Sequence, residues 1–308
     1  MQVVRELDFH RLFAGPTAVA AGNFDGLHLG HQKILRTLVE HARRGGLRPV
    51  VLTFSPHPER VLGRNQIAMI QTLAQRLDGF RSAGVQAVVL APFTRAFAGL
   101  PEDDFIGRVL VGALGAREVI IGRDFRFGSG RRGGVRSLTA AGKKAGFGVH
   151  PVPPVCRGGR VVSSSRLRRL LAAGAVGEAA ALLGRPYEIT GRVVGGSERG
   201  RTMGFPTANL LPDNEIIPPG VFVTETLVGG QAHASVTNVG RRPTFGGGPL
   251  GVETFLLDFR GSLYRRRVGL RFIKRLRDER SFSGPGPLVD QIRRDVRAAR
   301  RLLGAGGD

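Results

Sequence analysis

Gly22-Asn23-Phe24-Asp25-Gly26-Leu27-His28-Leu29-Gly30-His31 is the stretch on which the reading of this chain turns. The apolar run Thr17-Ala18-Val19-Ala20-Ala21 leads into it as a buried strand. Behind it, Gln32 to Arg44 carries Ile34, Leu35, Leu38, Val39 and Ala42 at the spacing of one helical face. Two histidines three positions apart therefore stand where a strand turns into a helix. Free backbone N–H groups and the positive end of the helix dipole make such a junction an anion site. Gly30 has no Cβ to keep a phosphate from the backbone. His28 and His31 come within reach of that phosphate and can stabilise charge that develops on it during transfer. A lone histidine near a helix start is most often a polar cap; the H-x-G-H frame directly behind a strand is a sharper signal.

A chain of 308 residues suits two domains better than one. No run approaches the roughly 18 apolar residues of a membrane span. Met1 to His10 mixes charges of both signs without an apolar core, so the expected setting is cytoplasmic, with no membrane partner. The single cysteine, Cys156, leaves no internal disulfide and reads as a buried small hydrophobe or an idle thiol; no histidine–cysteine cluster suggests a metal site. A formal charge of +22 points on its face to nucleic acid. However, Lys33, Lys143, Lys144 and Lys274 are the only lysines, and the arginines are spread along the chain among abundant Gly, Ala and Val, as in GC-rich coding sequence. With no Trp and two Tyr there is little to stack on bases. Anionic small molecules, rather than nucleic acid, are the expected partners.

Further strands are expected at Pro49–Phe54, Ala87–Leu90 and Glu118–Ile121, and helices at Thr72–Ala83 and from Pro101, whose acids Glu102, Asp103 and Asp104 sit at the positive end of the dipole. This alternation predicts a doubly wound parallel sheet binding ligands beyond its C-terminal strand ends. Loops 22–31, 55–58 and 122–128 all lie at such ends. Ser163-Ser164-Ser165-Arg166-Leu167-Arg168 places hydroxyls and arginines at a helix start, suited to phosphate, although an N-cap serine on a basic helix looks the same.

Asn23 to His31 resembles the nucleotide-binding signature of the nucleotidylyltransferase superfamily, in the form found in bacterial bifunctional riboflavin kinase/FAD synthetases. The serine–arginine stretch looks like the family's S-S-T-x-I-R segment, with Ser165 in place of threonine; Gly134 stands where the family commonly has an acidic residue. The resemblance implies a Rossmann-like domain over residues 1–184 that adenylylates FMN with ATP. His28 and His31 would stabilise the transferring phosphoryl, and Gly22, Asn23, Phe24, Asp25, Gly30, Ser164 and Arg168 would hold ATP. Pro56, Pro58, Asp124 and Phe127 would bound the flavin.

One helix is expected over Ser165–Leu183, ended by Gly184-Arg185-Pro186. Beyond it the pattern becomes antiparallel. Tyr187–Val194 is extended, and Val221–Val228 meets Gln231–Val239 across Gly229-Gly230, a hairpin signal. Val252–Phe259 and Leu263–Phe272 add strands, and Leu288, Ile292, Val296, Ala299 and Leu303 mark one face of a terminal helix. A small closed barrel with a packed helix follows.

Gly200-Arg201-Thr202-Met203-Gly204-Phe205-Pro206-Thr207-Ala208-Asn209 resembles the riboflavin kinase signature. Asn238 to Phe245 looks like N-x-G-x-x-P-T-F, Val252 to Phe259 like the strand bearing the catalytic glutamate, and Leu276 to Phe282 like a flavin-proximal segment. The resemblance implies a riboflavin kinase domain over residues 185–308. There Thr207 and Asn209 would bind Mg²⁺, and Gly196, Arg199, Gly200 and Arg201 would contact phosphates. Glu253 would act as base. The expected whole is a two-step enzyme with riboflavin, FMN and ATP as partners, and weak self-association at most. The alternatives are a kinase with a degenerate first domain and a basic nucleic-acid binder.

Overall fold

The computed structural model describes residues 1–63, 67–195, 204–241 and 250–304. By its contacts the chain divides into two compact units, 1–68 with 73–163 and 69–72 with 164–308.

The first unit is built on six parallel strands, β1 (Gln2–Val4), β2 (Thr17–Ala21), β3 (Arg48–Ser55), β4 (Ala87–Pro92), β5 (Ala116–Gly122) and β6 (Gly148–Val152), in the order β1-β4-β3-β2-β5-β6. Both faces are covered, as a parallel sheet requires. On one face Val19, Ala21, Val50, Leu52 and Val89 pack with Phe105, Val109 and Leu110; on the other Ala18, Ala20, Val51, Val88 and Ile120 meet Leu35, Leu38, Ala42 and Phe80. The helices are α1 (Leu29–Arg44), α2 (Pro58–Val61), α3 (Leu73–Ser82), α4 (Arg95–Ala98), α5 (Glu102–Asp104) and α6 (Val135–Ala145). The helix expected from Pro101 keeps ordinary geometry for one turn only. Over Phe105–Ala113 it widens to π-type turns, ending with Leu114 N–H donating to the Val109 carbonyl at 2.9 Å. β7 (Cys156–Arg157) and β8 (Arg160–Val161) form a small hairpin on which Cys156 is exposed, which removes the buried reading of that thiol.

In the second unit the expected single helix is two, α7 (Ser164–Ala172) and α8 (Val176–Leu183). Gly174, at φ +70°, breaks the run, and the left-handed backbone there suits glycine. The barrel is closed and antiparallel, in the order β10-β13-β12-β11-β14-β9, with β9 (Tyr187–Val194), β10 (Ala208–Pro212), β11 (Gly220–Val228), β12 (Gln231–Arg241), β13 (Leu250–Leu256) and β14 (Arg267–Arg277). Gly229 (φ 59°) and Gly230 (φ 88°) supply the positive φ pair that a two-residue hairpin turn demands. Two strands differ from expectation. β13 stops at Leu256 because Asp258 turns left-handed (φ 56°), and the last strand begins at Arg267, Leu263 being buried in the turn before it.

One barrel face packs against α9 (Pro285–Leu303): Val221, Val223 and Val236 meet Val296 and Ala299. The helix is also pinned by a buried carboxylate that the apolar pattern did not reveal. Asp295 accepts from Arg277 at 2.9 Å and from Gln291 at 2.8 Å. The inward face carries a belt of buried hydroxyls. Thr224 bonds Thr237 at 2.7 Å and Ser235 at 2.8 Å, Ser235 bonds Thr226 at 2.9 Å, and Thr237 donates to Thr254 at 2.9 Å.

Candidate active sites

Strand order runs outward from β2 through β3 and β4 on one side and through β5 and β6 on the other. The crevice beyond the C-terminal ends of β2 and β5 is therefore the switch point of the sheet, where ligands settle in such folds. Loop 22–31 leaves β2 there, loop 122–128 leaves the adjacent β5, and loop 55–58 leaves β3 on the other flank. The first loop is tightly wound: Phe24 (φ 52°), Gly26 (φ 91°) and Leu27 (φ 43°) all have positive φ, unusual for two large side chains. Its backbone is held by neighbours. Gly22 N–H donates to the Leu52 carbonyl at 3.1 Å, and the Asn23 carbonyl accepts from Thr53 Oγ1 at 3.2 Å and from Arg76 at 2.9 Å. The buried Phe24 ring wedges between His31 and Phe80.

His28 is the N-cap of α1. Its Nδ1 accepts the His31 backbone N–H at 3.3 Å, which leaves the ring proton on Nε2. The two imidazoles stack, with centroids 3.7 Å apart and planes 14° from parallel. Gly30 gives its side-chain space to this cap, since a Cβ there would lie 3.1 Å from His28 Cε1. Burial lowers His28 from 6.5 to about 4, partly opposed by Asp124 on the loop after β5. Burial, then the neighbouring His28 and Arg76, push His31 well below the usual histidine range. At neutral pH both rings are therefore uncharged, and what they offer an anion is an N–H donor beside the helix dipole. Two buried atoms have no hydrogen-bond partner here, His31 Nδ1 and Arg76 Nε. Arg76 is 4% exposed and is depressed by burial, against the opposing field of the equally buried Asp25. Buried polar atoms without partners are uncommon, and a bound anion would satisfy them.

The barrel assembles its group by strand pairing. Asn209 on β10 lies directly opposite Glu253 on β13, and Glu253 in turn lies opposite Asn238 on β12. Residues opposite one another share a face, so a carboxylate stands between two carboxamides on the outer surface of the barrel. Asn209 is buried, Glu253 and Asn238 are half-buried, and Thr207, just before β10, is exposed. On the neighbouring position of β12, Gly240 leaves room that the Glu279 carboxylate fills, at 1.7 Å from where a Cβ would be.

The family model for FAD synthetase matches residues 11–166, and that for riboflavin kinase matches residues 183–303. The chain is 36% identical over 310 residues to a bifunctional riboflavin kinase/FMN adenylyltransferase of Escherichia coli (strain K12), covering 99% of this chain and 98% of that one. It is 38% identical over 307 residues to the protein so described in Haemophilus influenzae, covering 98% and 99%. The chain belongs to the bifunctional riboflavin kinase/FMN adenylyltransferase family. A crystal structure described as that of a macrolide-efflux protein from Streptococcus pneumoniae superposes with a TM-score of 0.90 at 31% identity, covering 97% of this chain and 99% of that chain. Among the described residues here, no helix is long and apolar enough to cross a membrane. With both family domains present, the two-step reading is favoured over a chain keeping the kinase alone and over a nucleic-acid binder.

The structure brings Gly22, Asn23, Phe24, Asp25, His28, Gly30 and His31 together on one loop and helix start. Pro56 is exposed just after β3, and Pro58 opens α2, whose N-cap His57 accepts the Glu59 N–H at 3.2 Å. Phe127 belongs to the core, packed on Phe105 and Phe125 at centroid distances of 5.1 and 5.7 Å. Ser164 and Arg168 are one turn apart on α7, which belongs to the second unit. Gly134 caps α6 in extended geometry, and the Arg126 guanidinium lies 2.3 Å from where its Cβ would be. Gly196, Arg199, Gly200 and Arg201, with Arg242 to Phe245, lie outside the described residues. Two groups escaped assignment from sequence. Asn238 was visible only as the first letter of a motif, and Arg76 gave no signal, an arginine on an otherwise ordinary amphipathic helix.

Proposed function

We propose that the chain phosphorylates riboflavin to FMN in its C-terminal module, residues 185–308, and adenylylates FMN to FAD in its N-terminal module, residues 1–184. The observation that carries this reading is the presence of both family domains in one chain.

In the first module an FMN phosphate oxygen bonds to the α-phosphorus of ATP while the bond to the β-phosphate oxygen breaks, and pyrophosphate leaves with that electron pair. No covalent enzyme intermediate is needed, so positioning and electrostatic stabilisation supply the catalysis. His28, held by its cap bond with Nε2–H free to donate, and His31, with its unpartnered Nδ1, are assigned to the transferring phosphoryl. Asn23, Asp25 and the loop backbone around Gly22, Phe24 and Gly30 are assigned to ATP; Ser164 and Arg168 carry the phosphate-binding assignment of the family segment they resemble. The flavin is assigned to Pro56, Pro58 and Asp124, with Phe127 backing them from the core.

In the second module Glu253 takes the proton from the ribityl 5′-hydroxyl as that oxygen bonds to the γ-phosphorus and ADP leaves. Asn209 beside it and Thr207 two residues earlier present only oxygen ligands, which suits Mg²⁺. When bound, the ion neutralises charge on the ATP phosphates. Gly196, Arg199, Gly200 and Arg201 are assigned to those phosphates. We assign the protein to the cytoplasm, with weak self-association at most. The test is a time course with riboflavin, ATP and Mg²⁺, the flavins being separated by chromatography. FMN should appear first and FAD after it; FMN that never becomes FAD, even when supplied directly, would remove the first activity.

A further inference from the structure

Three side chains from separate elements meet at the end of the first sheet opposite its phosphate-facing loops. His41 comes from the last turn of α1, Glu118 from near the start of β5 and His150 from β6. One ligand atom of each lies within 4.8 Å of the other two. Glu118 and His150 Nε2 are hydrogen bonded, and the His41 and His150 rings are 3.9 Å apart between centroids. All three residues are half-buried, within reach of solvent but shielded by their neighbours. The backbone makes room for them at Gly148, where a Cβ would lie 2.3 Å from Glu118 Oε2 and 3.1 Å from His150 Nε2. Burial and the neighbouring His150 lower His41, favouring the neutral imidazole that donates a lone pair.

We propose that His41, Glu118 and His150 form a binding site for a transition-metal dication of the zinc class, with one coordination position left for water or an outside ligand. Two imidazoles and a carboxylate make a borderline-soft donor set that selects such ions over Mg²⁺ or Ca²⁺. The site is separate from the chemistry of transfer. His41 lies ten residues beyond His31 on one helix, about 15 Å along its axis. An ion there joins the C-terminal end of α1 to β5 and β6, and so steadies the helix whose other end carries His28 and His31.

The test uses the full chain stripped with a chelator. Titration with Co²⁺ should give saturable visible absorption bands that Zn²⁺ displaces, and Zn²⁺ should raise the midpoint of thermal unfolding. His41→Ala and His150→Ala should each abolish the bands. Glu118→Gln should weaken binding by at least the roughly 10-fold cost of losing even an outer-shell partner. His28→Ala should leave binding unchanged. If an alanine variant fails to fold, His41→Gln and His150→Asn keep size and polarity while changing the donor set. Absence of saturable uptake by the wild-type chain, or uptake unaltered when both histidines are replaced, overturns the proposal.

Discussion

In the first unit the two histidines and the loop that carries them occupy ten consecutive residues, from the end of β2 into the first turn of α1, whereas in the barrel Asn209, Glu253 and Asn238 sit on three strands and meet only because those strands pair. The loop achieves its geometry with unusual backbone angles at Phe24 and Leu27, held by bonds from Thr53 and Arg76. The barrel needs no local strain, since register alone sets the spacing. One site is thus sensitive to small changes in a single turn, and the other to anything that slides a strand. The first also buries neutral imidazoles, while the second presents a carboxylate on an outer face.

The sharpest way to break this comparison is to remove one module's groups and watch the other. His28→Ala or His31→Ala should lower FAD formation from FMN by about 100-fold or more, with riboflavin phosphorylation retained; parallel loss of both activities would mean that the modules do not act separately. Glu253→Gln should slow riboflavin phosphorylation by roughly 100-fold or more, the range for a lost general base, while supplied FMN is still converted to FAD. A normal kinase rate in that variant would remove Glu253 from its role.

Acid should distinguish the units as well. The fold favours neutral His28, whose pKa falls from 6.5 to about 4 on burial. Stability from this group is therefore complete above pH 6.5 and is lost as pH falls from 6.5 through 4, by an amount on the order of 3 kcal/mol. Hydrogen exchange measured peptide by peptide should show segment 22–44 opening first as pH is lowered; uniform opening of both units would contradict this. In the barrel, Thr237→Val should cost about 1–3 kcal/mol in urea unfolding, because the Thr224 and Thr254 hydroxyls lose a buried partner. The smallest effect is expected from Gly134→Asp. It places a carboxylate against the Arg126 side chain, which is itself exposed and free to shift, and should change FAD synthesis only a few-fold, an ion pair with a solvent-exposed partner being worth about 0–1 kcal/mol.

What could be read directly from sequence was what local signals encode. Thr17–Ala21 is uninterrupted apolar chain and forms a strand with those limits; Gly229-Gly230 takes the turn its residues demand. The strand expected over Leu263–Phe272 came out displaced because Leu263, though buried, supplies apolar surface from a turn, and hydrophobicity reports burial rather than conformation. The helix over Ser165–Leu183 concealed its break because Gly174 reads equally as a tolerated interior glycine. In the sites, His28 and His31 are neighbours in sequence and were visible. The placing of Asn238 and Asn209 around Glu253 depends on which strands pair, and the meeting of His41 with Glu118 and His150 spans more than a hundred residues. Neither has a local signature.

The hydroxyl belt inside the barrel has a consequence of a different kind. Each of Thr224, Thr226, Ser235, Thr237 and Thr254 has one proton to give, and Thr237 gives its own to Thr254 and Ser235 its own to the Thr224 carbonyl. The chain of contacts therefore has a direction as well as a shape. Valine matches the volume of threonine but carries no arrow, so oily residues that would fill this space equally well would leave their neighbours pointing at nothing. A strand shifted by one position would turn its hydroxyls out to the surface and break the sequence of arrows at once. The belt works as a lock on alignment, accepting a single arrangement of strands by polarity where an oily interior would accept several by size.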